Sequence, residues 1–239
     1  MKLYSHNNLN KDGLVSGTFA SRVYGWMTLG LSVTAGITGL LSYTGFYKTL
    51  YPYWWLWCLG TLGVSLWISR KINTLSVQGV MGLFIAYSVL EGLFFGTVIP
   101  GYAATYGGGV VWAAFLSAAG IFAIAALYGT FTHSDMTGLG RIFSLGLFAL
   151  IGLSIIYFIV SLFVVLPMFY LLICYLGLVM FVGLSAYDAQ TIKRMSLQAD
   201  INSSLSYKLA LVMALRMYIN VIMIFWYLLQ IFASSSKNK

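Results

Sequence analysis

Charged side chains are scarce in this sequence, and acidic ones are the rarest. Of the 239 residues only 8% are charged, and only five are Asp or Glu. Soluble domains carry roughly 25% charged residues, so the composition excludes an ordinary soluble globular protein. The hydrophobic fraction of 60% and the mean hydropathy of +0.89 indicate an integral membrane protein instead.

Histidine and cysteine, which serve most metal sites and many covalent mechanisms, occur only twice each. Cys58 and Cys174 lie in apolar segments without metal-ligand spacing. His6 lies in the polar N-terminal tail and His133 in a predicted loop, and no His-Glu-x-x-His zinc motif occurs. The segment 183–186 lacks the second glycine of a serine nucleophile elbow. We therefore expect neither an enzyme nor a protein with a bound cofactor.

Seven apolar segments are long enough to cross a membrane, which takes ~20 residues of helix. They are residues 23–43, 52–69, 79–99, 109–131, 142–165, 168–192 and 207–233. Lipid offers no hydrogen bonds to the backbone and the segments lack a period-two alternation, so each is predicted to be helical. The sequence thus predicts an all-α bundle over residues 23–233, between a polar N-terminal tail, 1–22, and a polar C-terminal tail, 234–239.

Lysines and arginines are distributed unevenly among the loops between these segments. If the N-terminus is cytoplasmic, the inner segments contain Lys2, Lys11, Arg22, Arg70, Lys71, Arg141, Lys193, Arg194 and Lys208. The outer segments then contain Lys48, Lys237 and Lys239. The positive-inside rule therefore predicts a cytoplasmic N-terminus. Because no more than two cations are adjacent, the net charge of +8 indicates membrane orientation and not nucleic-acid binding.

Asp188 follows a long apolar run, residues 167–186, where an acidic side chain is unexpected. An Asp at the centre of a membrane helix costs ~2.5–3.5 kcal/mol, so such a residue is a candidate functional group. In the last segment a polar stripe shares one face of the helix: Arg216, Asn220, Met223, Tyr227 and Gln230. Arg216 lies at a depth compatible with Asp188, and we expect the two to pair. In the alternative, the arginine side chain extends to the inner membrane surface.

Three further features lie in the second and third segments. Glu91, midway along the third, is either a second ion or proton ligand or a neutral carboxyl hydrogen-bonded within the bundle. Arg70 and Lys71 end the second segment, where cations anchor the orientation of a span. Gly92 and Gly96 have the spacing of small residues that allow close helix contact.

The polar end of the sixth segment carries a family signature. Residues 185–192 read Ser-Ala-Tyr-Asp-Ala-Gln-Thr-Ile and resemble the pattern Asp-x-Gln-x-Ile of the Bax inhibitor 1 family, also called the transmembrane Bax inhibitor motif family. In that family a polar loop follows, and the last helix begins Ala-Leu-x-Leu-Tyr-Leu-Asp-Phe-Ile-Asn. Here residues 214–223 read Ala-Leu-Arg-Met-Tyr-Ile-Asn-Val-Ile-Met. The order of the two motifs, their spacing and the seven-segment layout agree with the family pattern. The compact tails and short loops favour a bacterial inner membrane over a eukaryotic internal membrane.

The resemblance implies a fold in which six helices surround a central seventh, and an activity as a pH-sensitive calcium leak. It also implies two gating carboxylates that share a proton, and an arginine linked to the open form. Carried over by position, the first carboxylate is Asp188 and the arginine is Arg70. The second carboxylate is replaced by Asn220, which can still donate a hydrogen bond to Asp188. With one carboxylate fewer and Arg216 nearby, we expect weaker pH gating, or gating at lower pH, and only weak Ca²⁺ binding at Asp188.

Two other functions are open at this point. The resemblance also implies non-conducting regulators that bind a membrane protease in bacteria or cell-death proteins in eukaryotes. In such a regulator the contact of Asp188 with Arg216 would only stabilise the bundle. A proton-coupled transporter that uses Glu91 and Asp188 is disfavoured, because paired halves with broken helices are not evident.

Overall fold

The computed structural model describes residues 7–71, 74–164, 166–198 and 203–236, with the backbone alone for residues 7–18, Ser69 and Gln198. The helices are α1 (Asn7–Thr44), α2 (Tyr47–Leu50), α3 (Trp54–Lys71), α4 (Val77–Tyr106), α5 (Gly108–Phe131), α6 (Thr137–Ser161), α7 (Pro167–Gln198) and α8 (Ser204–Ser236). A 3₁₀ turn, Tyr51–Tyr53, precedes α3. These residues form no strand, so the predicted all-α class is confirmed.

Each long helix overlaps a predicted segment, but several bounds differ. Helix α1 begins at Asn7 and not at residue 23, and α4 continues to Tyr106 and not to residue 99. The fifth segment differs at its end. That segment was predicted to continue to residue 165, but α6 ends at Ser161. The N–H of Phe163 donates to the carbonyl of Val160 at 2.9 Å, which closes a turn. Apolar side chains continue through this turn, so hydropathy alone does not mark the helix end. Pro167 then begins α7, a position where its missing N–H costs no helical hydrogen bond.

Five helices of the described chain, α4 to α8, are each long and apolar enough to cross a membrane. The first two predicted spans meet the same criterion only as a pair, Phe19–Thr44 and Tyr47–Ile68, with a bend of 106° between them. Gly45 lies at this bend with φ of 71°, a left-handed conformation that glycine adopts without a steric penalty. The chain is therefore an all-α, multi-pass membrane protein.

Helix α8 is the most buried of these candidate spans. In an apolar stretch of 18 residues within α8, 61% of the residues are buried. The corresponding fraction is 44% in α4 and 6% in α6. Met217, Tyr218 and Ile224 have no exposed surface. This burial agrees with the inner position that was predicted for the last helix.

The chain divides into two compact units. The first contains α1 to α3, α4 as far as Pro100, α7 from Thr191 and α8 up to Tyr218. The second contains the chain from Gly101 to Gln190 and α8 from Ile219. Helices α4, α7 and α8 therefore contribute to both units.

The first unit contains the predicted close helix contact. A Cβ atom at Gly92 would lie 2.8 Å from Ile37 of α1, and one at Gly96 would meet Leu41 of the same helix. Separations this short leave no room for a side chain. The small residues of α4 thus let α1 approach its backbone, as the sequence spacing predicted.

Candidate functional site

Asp188 and Asn220 form a hydrogen-bonded pair in the second unit. The Nδ2 group of Asn220 on α8 donates to Oδ2 of Asp188 on α7 at 2.8 Å. Both side chains are buried, with 1% of the Asp188 surface and 4% of the Asn220 surface exposed. The predicted hydrogen-bond partner of Asp188 is thereby confirmed, whereas the gating role of the pair stays a prediction.

This arrangement has limited but definite chemical capacity. The carboxyl group can bind and release one proton, and an N–H donor to an ionised carboxylate makes a strong, charge-assisted hydrogen bond. The pair also offers Ca²⁺ oxygen ligands, which that ion prefers. The described residues contain no group of three or more His, Cys, Asp or Glu side chains that could hold a metal ion. Weak Ca²⁺ binding at Asp188 stays a prediction.

Gln190, two residues after Asp188, makes a second set of buried contacts in the same unit. Its Oε1 accepts from the N–H of Met136 at 3.0 Å, and its Nε2 donates to the carbonyl of Ser134 at 2.7 Å. Both partners lie in the connector between α5 and α6. In the sequence Gln190 stands out only as part of the family pattern, and these contacts were not predicted. The sequence feature that could have indicated these contacts is a second polar side chain, on the side of α7 opposite to Asp188.

Glycines let α5 and α6 approach the turn of α7 that precedes Asp188. A Cβ atom at Gly129 of α5 would collide with the backbone carbonyl of Ala186. One at Gly140 of α6 would collide with the ring of Tyr187. The backbone around Asp188 is therefore closely packed, which restricts its movement.

The predicted cations have exposed side chains in the first unit. Arg70 is exposed in the last turn of α3, next to Lys71, as expected for an orientation anchor. Arg216 is exposed on the part of α8 that belongs to this unit. The alternative prediction for Arg216 was a side chain that extends to the inner membrane surface, and such a side chain must be exposed. Its pairing with Asp188 and the action of Arg70 on gating stay predictions.

Glu91 belongs to a separate buried cluster in the first unit. The hydroxyl of Tyr87 donates to Oε1 of Glu91 at 2.9 Å, one helical turn away on α4. The ring of Tyr218 lies edge-on to that of Tyr87, with centroids 5.6 Å apart, and its hydroxyl is hydrogen-bonded to Thr34 of α1. These contacts favour the structural role of Glu91 over the ligand role. The tyrosine of the last-helix motif thus packs within this cluster.

A family model and several known proteins are similar to this chain over most of its length. The family model described as Inhibitor of apoptosis-promoting Bax1 matches residues 17–237. An uncharacterized protein of Chlamydia muridarum is 58% identical over 240 residues, with both chains covered in full. An uncharacterized protein of Deinococcus radiodurans is 31% identical over 215 residues, which cover 90% of this chain and 89% of the relative. The inner membrane protein YbhL of Escherichia coli is 29% identical over 222 residues, which cover 91% of this chain and 92% of the relative.

The matched region includes the paired residues of α7 and α8 and all of the candidate spans. The resemblance drawn from the motifs around Asp188 and Asn220 is therefore confirmed. This multi-pass membrane protein belongs to the Inhibitor of apoptosis-promoting Bax1 family.

Proposed function

We propose that this protein is a passive Ca²⁺ leak in which Asp188 controls passage of the ion. The observation that carries the proposal is a buried carboxylate on a membrane helix, held by the neutral donor Asn220 at 2.8 Å. Ionisable side chains inside membrane helices are rare because burial is costly, and they mark ion or proton pathways. A passive leak also needs no energy source, and no nucleotide motif occurs in the sequence.

In this proposal the hydrogen bond competes with the ion. Oδ2 of ionised Asp188 accepts the N–H of Asn220, and Ca²⁺ that binds both carboxylate oxygens must displace that donor from Oδ2. Rotation of the Asn220 amide would then turn its oxygen toward the same ion, which supplies a second oxygen ligand. Protonation of Asp188 removes the negative charge that attracts Ca²⁺ and closes the path.

The test of this proposal is Ca²⁺ uptake by proteoliposomes that contain the purified protein and an enclosed Ca²⁺-sensitive dye. We expect the proteoliposomes to take up more Ca²⁺ than empty liposomes do. We also expect this uptake to decrease as the pH is lowered. A helical circular dichroism spectrum of the reconstituted protein establishes that it is folded. Uptake equal to that of empty liposomes from folded protein would contradict the proposal.

Replacing Asn220 with aspartate is expected to make the flux depend more steeply on pH. A second carboxylate within hydrogen-bond distance of Asp188 would share a proton with it, because two adjacent carboxylates do not ionise independently. The measurement is the pH profile of Ca²⁺ uptake. Gln230→Glu is the matched control, because it adds an acid elsewhere on the buried face of α8. A profile in Asn220→Asp that equals the wild-type profile would reject this role of Asn220.

The proposal places the protein in a bacterial inner membrane with a cytoplasmic N-terminus. The distribution of loop cations supports this orientation, and the relative YbhL is named an inner membrane protein. In a variant without Cys58 and Cys174, a cysteine at Lys48 is expected to react with a membrane-impermeant maleimide added outside intact spheroplasts. A cysteine at Lys193 is expected to react only after lysis. The reverse pattern of labelling would invert the proposed orientation.

The second candidate function is a non-conducting regulator that binds another membrane protein, such as a membrane protease or a cell-death protein. It is favoured by the near-complete burial of Asp188 and Asn220, because a buried pair can simply fix α7 to α8. A regulator would transport no Ca²⁺ when purified alone. The uptake measurement on purified protein therefore separates the two candidates.

A further inference from the structure

We propose that Gln190 is a positioning residue that joins α7 to the α5–α6 connector, residues 132–136, and so fixes the side chain of Asp188. The hydrogen bonds of Gln190 carry the proposal. Its relevance to ion flux rests on the proposed function, but its test does not use flux.

Gln190 uses both polar atoms of its side chain on the backbone of the connector. Its acceptor atom receives the N–H of Met136, and its amide donates to the carbonyl of Ser134. The side chain is 5% exposed, so water does not easily replace these bonds. Met136 also immediately precedes α6, where backbone N–H groups lack partners within the helix. Gln190 thus fixes the beginning of α6 to α7.

Gln190 and Asp188 hold α7 from opposite sides. Residues two positions apart in an α-helix are separated by about 200° around its axis. Asp188 is bonded on one side to Asn220 of α8, and Gln190 is bonded on the other side to the connector. Rotation of α7 that withdraws Asp188 from Asn220 must therefore break the bonds of Gln190 or carry the connector along.

The connector is ordered by contacts of its own. Oδ1 of Asp135 accepts the backbone N–H of Thr137 at 3.0 Å and its hydroxyl at 2.7 Å. The side chain of Met136 is buried against Ala125 of α5 and Ala186 of α7. A connector held in this way keeps the hydrogen-bond partners of Gln190 in place. The position of the connector therefore helps to determine where Asp188 lies.

The test compares Gln190→Met with Gln230→Met. Methionine is of similar length but removes both hydrogen bonds, and Gln230 is a buried glutamine of the same unit that contacts Tyr102 at 2.9 Å. The first measurement is hydrogen exchange of the backbone amides of residues 132–140 in lipid nanodiscs. We expect at least about threefold faster exchange in Gln190→Met and no change in Gln230→Met. Unchanged exchange in Gln190→Met would overturn the proposal.

The second measurement reports on Asp188 itself. In protein labelled with ¹⁵N at asparagine, the side-chain amide signal of Asn220 is identified by its loss in Asn220→Asp. This signal is expected to move in Gln190→Met and to stay in place in Gln230→Met. Only Gln190→Met is expected to shift Oδ2 of Asp188, which accepts the hydrogen bond of Asn220. Faster exchange without movement of the Asn220 signal would show that Gln190 only supports the connector, and would overturn its positioning role.

Gln190→Glu keeps the test valid if the methionine variant does not fold. An ionised glutamate still accepts the N–H of Met136 but no longer donates to the carbonyl of Ser134. Its effects on both measurements are expected to be smaller than those of methionine and in the same direction. Wild-type-like exchange and an unmoved Asn220 signal in this variant would also overturn the proposal. Absence of Ca²⁺ uptake by the wild-type protein would reject the proposed function alone.

Discussion

An alanine at Gly129 is expected to destabilise the protein strongly, by about 3 kcal/mol, which is the upper end for overpacked cores. The added methyl group would occupy the position of the Ala186 backbone carbonyl. A backbone atom cannot rotate away as a flexible side chain can, so α5 and α7 would have to separate. That separation would loosen the turn of α7 that leads to Asp188. The measurement is the melting temperature of the purified protein in detergent.

Gly120→Ala is the matched control for this change. Gly120 lies on the same helix, and a Cβ atom there would have no neighbour within 4 Å. Alanine at an exposed helical position is favoured over glycine by roughly 0.5–1 kcal/mol, so the control is expected to melt at the same or a slightly higher temperature. Equal melting temperatures of Gly129→Ala and the wild-type protein would mean that α5 and α7 do not pack as described.

Replacing Asn220 with leucine is expected to lower stability by about 1.5–3 kcal/mol, the contribution of a hydrogen bond to a charged group. Leucine resembles asparagine in shape but donates no hydrogen bond. Asp188, 1% exposed, would then lose the N–H that solvates it, and water has little access to replace that donor. The measurement is again the melting temperature, compared with that of the wild-type protein.

The double variant Asp188→Leu/Asn220→Leu distinguishes the hydrogen bond from simple packing. Replacing both members of a buried polar pair by apolar residues is often nearly neutral, whereas removal of one member leaves the other unsatisfied. We therefore expect the double variant to melt at a higher temperature than Asn220→Leu. A double variant that is less stable than Asn220→Leu would indicate that Asp188 is stabilised mainly by other contacts.

Much of the fold could be predicted because membrane helices have a strong local signal. About 20 apolar residues are needed to cross a bilayer, and every long helix of the described chain overlaps an apolar segment that was predicted on this basis. The end of α6 at Ser161 was not predicted, since apolar side chains continue into the following turn. The 106° bend near Gly45 was not predicted either, because a short helix, Tyr47–Leu50, fills the break and is not distinguished by hydropathy.

The candidate site was only partly predictable. The pairing of Asp188 with Asn220 followed from two sequence motifs whose register could be compared with a family pattern. The contacts of Gln190 depend on where the α5–α6 connector lies, and that position results from the packing of distant segments. The importance of Gly129 also depends on such packing, because many glycines of the sequence have no close neighbour.

The most direct test of this account is Ca²⁺ uptake by proteoliposomes with wild-type protein and with Asp188→Asn, measured side by side at acidic and alkaline pH. Asparagine preserves the shape of the side chain and its capacity to accept the hydrogen bond of Asn220, but it carries no charge and binds no proton at these pH values. We expect wild-type uptake that changes with pH, and uptake in Asp188→Asn that is low and independent of pH. Equal uptake with the same pH profile from both folded proteins would contradict control of the leak by Asp188.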